Sequence, residues 1–221
     1  MQTFATPAPI SAVIDIPAGR LRLIAADRAD TAVEVRPADA SKSRDVKVAE
    51  QTSVAYSDGV LRVHATAKNQ FLGSSGFIEV TIQLPAGSHV EAKAAGADFR
   101  GVGRFGDVAF EGAHGSIKVD EAASARLTTQ AGDVAVGRLD GPAEISTGKG
   151  DIRVAEAVRG TVVLRTLSGD VSIDAAAGVP ASLDAGTAHG RIDNALLNTG
   201  GTPELAIHAT TAHGDIAARS L

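Results

Sequence analysis

Hydrophobic and polar residues alternate with a period of two along most of the chain. Ile78, Val80, Ile82 and Leu84 are separated by Glu79, Thr81 and Gln83, the pattern of a strand with one face buried. Ile10, Ala12, Ile14 and Ile16 repeat it, as do Leu21, Leu23 and Ala25 with Arg20 and Arg22. Leu61 and Val63 follow Ser57-Asp58-Gly59, which predicts a hairpin. "IPAG" at 16–19 and "LPAG" at 84–87 predict chain reversals, with Pro presetting φ and Gly accepting positive φ. The polar stretch 39–51, "DASKSRDVKVAEQ", is expected to be a loop rather than a short helix. Residues 1–94 therefore predict roughly six strands joined by turns.

From about residue 95 the alternation becomes a repeat. Seven units align on Gly106, Gly115, Gly132, Gly150, Gly169, Gly190 and Gly214, at spacings of 9, 17, 18, 19, 21 and 24 residues. Two residues after each glycine stand Val108, Ile117, Val134, Ile152, Val171, Ile192 and Ile216, all β-branched and apolar, as a core-facing strand position requires. Four after it stand Phe110, Val119, Val136, Val154, Ile173, Asn194 and Ala218; apolar character fades in the last two, as expected where a stack ends. Three before the last five glycines stand Thr129, Thr147, Thr166, Thr187 and Thr211. Ala123, Gly141 and Gly160 mark a second corner.

Strand, glycine corner, strand at this period predicts an all-β protein whose repeats form a β-solenoid, a single-stranded β-helix-like stack with an N-terminal strand-rich region. The expected organisation is a region 1–94 packing on a repeat region 95–221 as one continuous domain. An antiparallel meander or sandwich is the rival fold, although it would demand less identity within each column.

Column identity also reinterprets the candidate chemistry. The residue after the glycine is Asp107, Ser116, Asp133, Asp151, Asp170, Arg191 and Asp215. Five carboxylates suggest a cation column, but Ser116 and Arg191 interrupt it, and Asp beside Gly caps turn backbone. A structural role is expected for these residues and for the threonines, which can bond corner backbone. His114, His189 and His213 each precede a repeat glycine. His189 and His213 fall on neighbouring repeats and are weak candidates for a metal pair, as Arg191 and Asp215 are for an exposed salt bridge. Without an evident third ligand, no metal or cofactor is expected. No catalytic residue stands out either: "GVGRFG" at 101–106 matches a dinucleotide fingerprint by letters but lies between short strands with no helix after it.

Composition narrows the classes further. The net charge is −5, with 10 basic and 10 acidic residues in 1–94 and 11 and 16 in 95–221. No basic stripe marks a nucleic-acid partner. There is no Cys, hence no disulfide or thiolate site, and six Phe, one Tyr and no Trp offer few stacking platforms for sugars or bases. The N-terminus lacks a basic signal-peptide region and no apolar run reaches ~18 residues. The expectation is a cytoplasmic chain without membrane insertion.

The units of the form T-x-x-G-D-[VI]-x-[VI], preceded by a β-rich stretch with "LPAG", resemble a widespread bacterial β-strand-repeat family labelled "putative adhesin" and otherwise of unknown function. The resemblance spans nearly the whole chain, most specifically Gly106 to Leu221. It implies a single-domain β-solenoid with no established activity and no catalytic motif to carry over. The expected function is a non-enzymatic scaffold or protein-interaction module, with Lys118, Arg153, Ser172 and Asp193 among its outward positions. Self-association through an end of the solenoid is a further expectation. The alternatives are a carbohydrate-binding or carbohydrate-active β-helix protein, and a surface adhesin if the chain is exported.

Overall fold

A computed structural model describes residues 1–65, 76–198 and 202–221. It is all-β apart from one short helix, and its repeats resemble a β-solenoid. The chain gathers into two compact units, Met1–Gly115 and Ser116–Leu221.

The first unit contains β1 (Gln2–Ala5), β2 (Ser11–Ala26), β3 (Asp30–Pro37), α1 (Ser43–Gln51), β4 (Thr52–Ser57), β5 (Val60–Ala65), β6 (Ile78–Pro85) and β7 (His89–His114). Inward residues alternate along β2 as the pattern predicts, and Ile14, Ile16, Leu21 and Leu23 are buried. The long β2 runs parallel to β7, to β5 through its first half and to β6 through its second. "IPAG" is therefore no reversal. It is a corner inside β2, where Gly19 takes φ +143° and the chain bends onward in the same winding sense. True antiparallel pairing joins β1 to β3, β3 to β6 and β4 to β5. The predicted hairpin at Ser57-Asp58-Gly59 makes the last of these, with Asp58 and Gly59 both at positive φ.

The stretch 39–51 departs from the loop expectation, because Ser43–Gln51 is helical. Asp39 organises the approach: its carboxylate accepts the Ser41 N–H at 3.0 Å, and its carbonyl accepts the Lys42 N–H. Only Asp45 and Val48 of the helix are buried, so the stretch is polar on nearly every other position. Val46, Val48 and Ala49 are its only apolar residues, so a short, mostly polar stretch reads like a loop.

The second unit contains β8 (Ile117–Ala131), β9 (Val134–Leu139), β10 (Ala143–Lys149), β11 (Ile152–Ala157), β12 (Gly160–Ser168), β13 (Val171–Ala175), β14 (Ala181–His189), β15 (Ile192–Ala195), β16 (Leu205–His213) and β17 (Ile216–Ser220). Among the described residues its strand pairs are parallel and follow the repeat columns, with one register shift between Val154 and Ala157, which excludes the meander and sandwich for this unit. One ladder runs β8-β10-β12-β16-β14, and the other runs β9-β11-β13-β17-β15.

Spatial order thus departs from chain order at the end. The C-terminal coil 205–220 inserts between coil 160–175 and coil 181–195. The sequence-based expectation that both last coils close the stack is corrected accordingly. Ala218 is buried, whereas Asn194 and Ile192 are exposed. Burial explains the order. Leu205, Ile207, Ala209, Ile216 and Ala218 give the C-terminal coil an inner face that is apolar except for Thr211, while coil 181–195 carries Asn194 opposite Ala218. The more apolar coil gains more by being covered on both sides.

Candidate functional site

The repeat columns become rungs. Val108, Ile117, Val134, Ile152, Val171 and Ile216 are each at most 2 % exposed, and Ile192 on the end coil is 46 % exposed. The corner glycines are required by close approach. Gly169 has φ +148°, and a Cβ there would lie 2.0 Å from the carbonyl oxygen of Gly150. At Gly214 the same atom would lie 2.0 Å from the Gly169 oxygen. Ala123, Gly141 and Gly160 form the second corner: a Cβ on Gly141 would come within 2.6 Å of the Ala123 oxygen.

Two polar ladders flank the glycines. Thr147, Thr166, Thr211 and Thr187 each donate through Oγ1 to the repeat-glycine carbonyl of the adjacent coil, at 3.0–3.1 Å. Thr129 begins the column, with Oγ1 3.5 Å from the Ala131 oxygen. On the other side, the Asp133 carboxylate accepts the Asp151 N–H at 2.9 Å, Asp151 accepts Asp170 N–H at 2.8 Å, and Asp170 accepts Asp215 N–H at 2.7 Å. Asp215 accepts the Arg191 N–H at 2.8 Å and pairs with its guanidinium at 2.6 Å. That guanidinium, and then the backbone bond, hold the Asp215 carboxyl below the ordinary aspartate range. These carboxylates engage backbone donors, so they cap corners as the pattern suggested. In the first unit Asp107 instead receives its partner from a ring: His89 Nδ1 accepts the Asp107 N–H at 3.1 Å.

The histidines sort in the same way. His64, His89 and His208 face Asp15, Asp107 and Asp184 across one step of pairing, at 3.5, 3.1 and 3.3 Å. The sequence reading missed these rungs, although the 24-residue step from Asp184 to His208 equals that from Gly190 to Gly214. His189 and His213 are brought together, with ring centroids 4.8 Å apart. His114 lines a depression in the first unit.

Two surfaces emerge. In the second unit one outward row runs Lys118, Ala135, Arg153, Ser172, Ala217, Asp193, each in register with the next. Short side chains flank Arg153 in its middle, and Lys118 and Asp193 put charges of opposite sign at the two ends. The depression in the first unit is about 810 Å³ and is lined by Arg20, Lys42, Asp45, Phe77 and Glu79 beside His114. Several of its polar groups have partners: Arg20 pairs with Glu79 at 2.8 Å, Lys42 with Asp39 at 3.3 Å, and Asp45 accepts the Phe77 N–H at 3.0 Å. Among the described residues, no group of three or more His, Cys, Asp or Glu side chains is gathered as metal ligands.

Residues 12–219 match the family described as Toastrack DUF4097. This chain belongs to the Toastrack family. The Toastrack chain is also similar to a solved structure described as a putative adhesin from Parabacteroides distasonis, at 10 % identity and TM-score 0.51, covering 98 % of this chain and 95 % of that one. A putative adhesin from Bacteroides fragilis aligns at 11 % identity and TM-score 0.48, over 98 % and 95 %. A putative cell adhesion protein from Clostridium sporogenes aligns at 10 % and 0.43, over 100 % and 98 %. At such identities the likeness concerns the fold. No curated protein matches the Toastrack chain in sequence. No helix among its described residues is long and apolar enough to cross a membrane.

Proposed function

We propose that this Toastrack chain is a non-enzymatic scaffold that binds a protein partner through the outward row from Lys118 to Asp193. The observation that supports this reading is the row itself: short side chains and paired-sign charges on strands locked in register by the threonine and aspartate ladders. Strands held in register bind with little ordering cost, and the charges on them set orientation and partner choice. Affinity capture with the full chain tests it, using Arg153→Glu and Ser172→Arg beside the parent. One partner held stoichiometrically by the parent and lost from both variants is expected. A partner retained equally by the variants refutes the assignment to this row. The proposed location is the cytoplasm, and cell fractionation that finds the chain outside the cell replaces it with surface adhesion, as the names of the similar structures suggest.

A carbohydrate-binding reading has its own support in the first unit. Phe77 is 49 % exposed beside the polar groups of the depression, and an aromatic face with polar neighbours suits a sugar ring. A glycan screen in which binding depends on Phe77 favours this reading over the first.

A further inference from the structure

We propose that His189 and His213 form an open, two-imidazole site for a late first-row divalent ion such as Ni²⁺. The two residues are direct register partners on β14 and β16. Their rings stack with centroids 4.8 Å apart and planes 19° apart, and both side chains are exposed. Three other histidines have a ring nitrogen engaged: His64 and His208 lie against a carboxylate, and His89 Nδ1 accepts the Asp107 N–H. Neither ring of the stacked pair makes a hydrogen bond or an ion pair among the described residues, so nitrogen lone pairs remain available on both.

The backbone supplies the preorganisation. Parallel strands hold neighbouring side chains about 4.8 Å apart. Two nitrogens each about 2.1 Å from a single ion need to be about 3 Å apart. Tilting the exposed rings toward each other closes that gap without moving either strand. Corner geometry keeps the strands fixed beneath them: the Thr211 and Thr187 hydroxyls donate to the Gly169 and Gly214 carbonyls, and Arg191 is neutralised by Asp215 beside the pair. Imidazole suits Ni²⁺, Cu²⁺ and Zn²⁺, and with two protein ligands the remaining positions are taken by water. Such a site exchanges its ion readily and leaves positions open for a further ligand.

Calorimetric titration of the full chain with Ni²⁺ in a weakly coordinating buffer tests the site. Saturation at one ion per chain is expected, with His189→Asn and His213→Asn each weakening binding by about tenfold or more. The double variant should lose little beyond either single one. His64→Asn and His208→Asn should leave the isotherm unchanged. Paramagnetic broadening by Ni²⁺ should fall first on the ring signals of His189 and His213. Both side chains are exposed, so metal-free melting should match the parent and separate lost ligation from lost folding. Absence of saturable binding, or an isotherm unaltered by His189→Asn, overturns the proposal.

Discussion

Truncating the same column position on two different coils tests the insertion of the C-terminal coil. Ile216 is 0 % exposed and lies in register between Val171 and Ile192. Ile216→Ala removes about three methylene-sized groups, a transfer loss of about 2.4 kcal/mol at ~0.8 kcal/mol each. A cavity term adds to it because neighbours covered on both sides cannot collapse freely, giving about 2–5 kcal/mol in all. Ile192 occupies the equivalent position on the end coil but is 46 % exposed. Ile192→Ala forfeits only about half the transfer term, and solvent fills the space, so its cost is about 1 kcal/mol. Urea unfolding of parent and variants, with slopes held comparable, reads the difference directly. Thermal scans should show a drop of about 2–4 °C per kcal/mol for a chain of this size. If the coils instead stacked in chain order, Ile192 would be the covered residue. An Ile192→Ala penalty equal to or larger than that of Ile216→Ala refutes the inserted arrangement.

Further outcomes concern the corner beside Val171. Val171→Asp buries a carboxylate with no partner and should abolish cooperative melting; melting near the parent temperature would sink the column assignment. Gly169→Ala should destabilise strongly in the same assay, since its Cβ meets the Gly150 oxygen at 2.0 Å and φ is +148°. Asp170→Asn should cost about 1 kcal/mol or less, because the amide oxygen can still accept the Asp215 N–H. The Asp215 carboxyl is depressed, chiefly by Arg191. Its contribution is therefore complete above the ordinary aspartate pKa of about 3.9 and fades as pH falls through the lower folded value. Asp215→Asn should lessen the acid sensitivity of unfolding below about pH 4; an unchanged pH profile refutes that linkage.

The sequence alone determined the repeat. A buried β-branched residue two positions after each glycine, and a threonine three before it, are local demands of a strand meeting a tight corner. They recur because every coil must satisfy the same neighbours. Val171, Gly169 and Thr166 were legible for that reason, and so were the corner role of Asp170 and the approach of His189 to His213. Helix α1 was not legible, because only Asp45 and Val48 face inward and the Phe77 N–H that Asp45 accepts lies 32 residues away. The corner at Gly19 was not legible either, since Pro and Gly permit a bend and a reversal alike, and only pairing with β5 and β6 selects the bend. Tertiary structure also decided the order of the coils. Identical columns let any coil stack on any other, so local pattern is silent about neighbours. The choice falls to total burial, which places the apolar C-terminal coil inside and leaves Ile192 and Asn194 at the end.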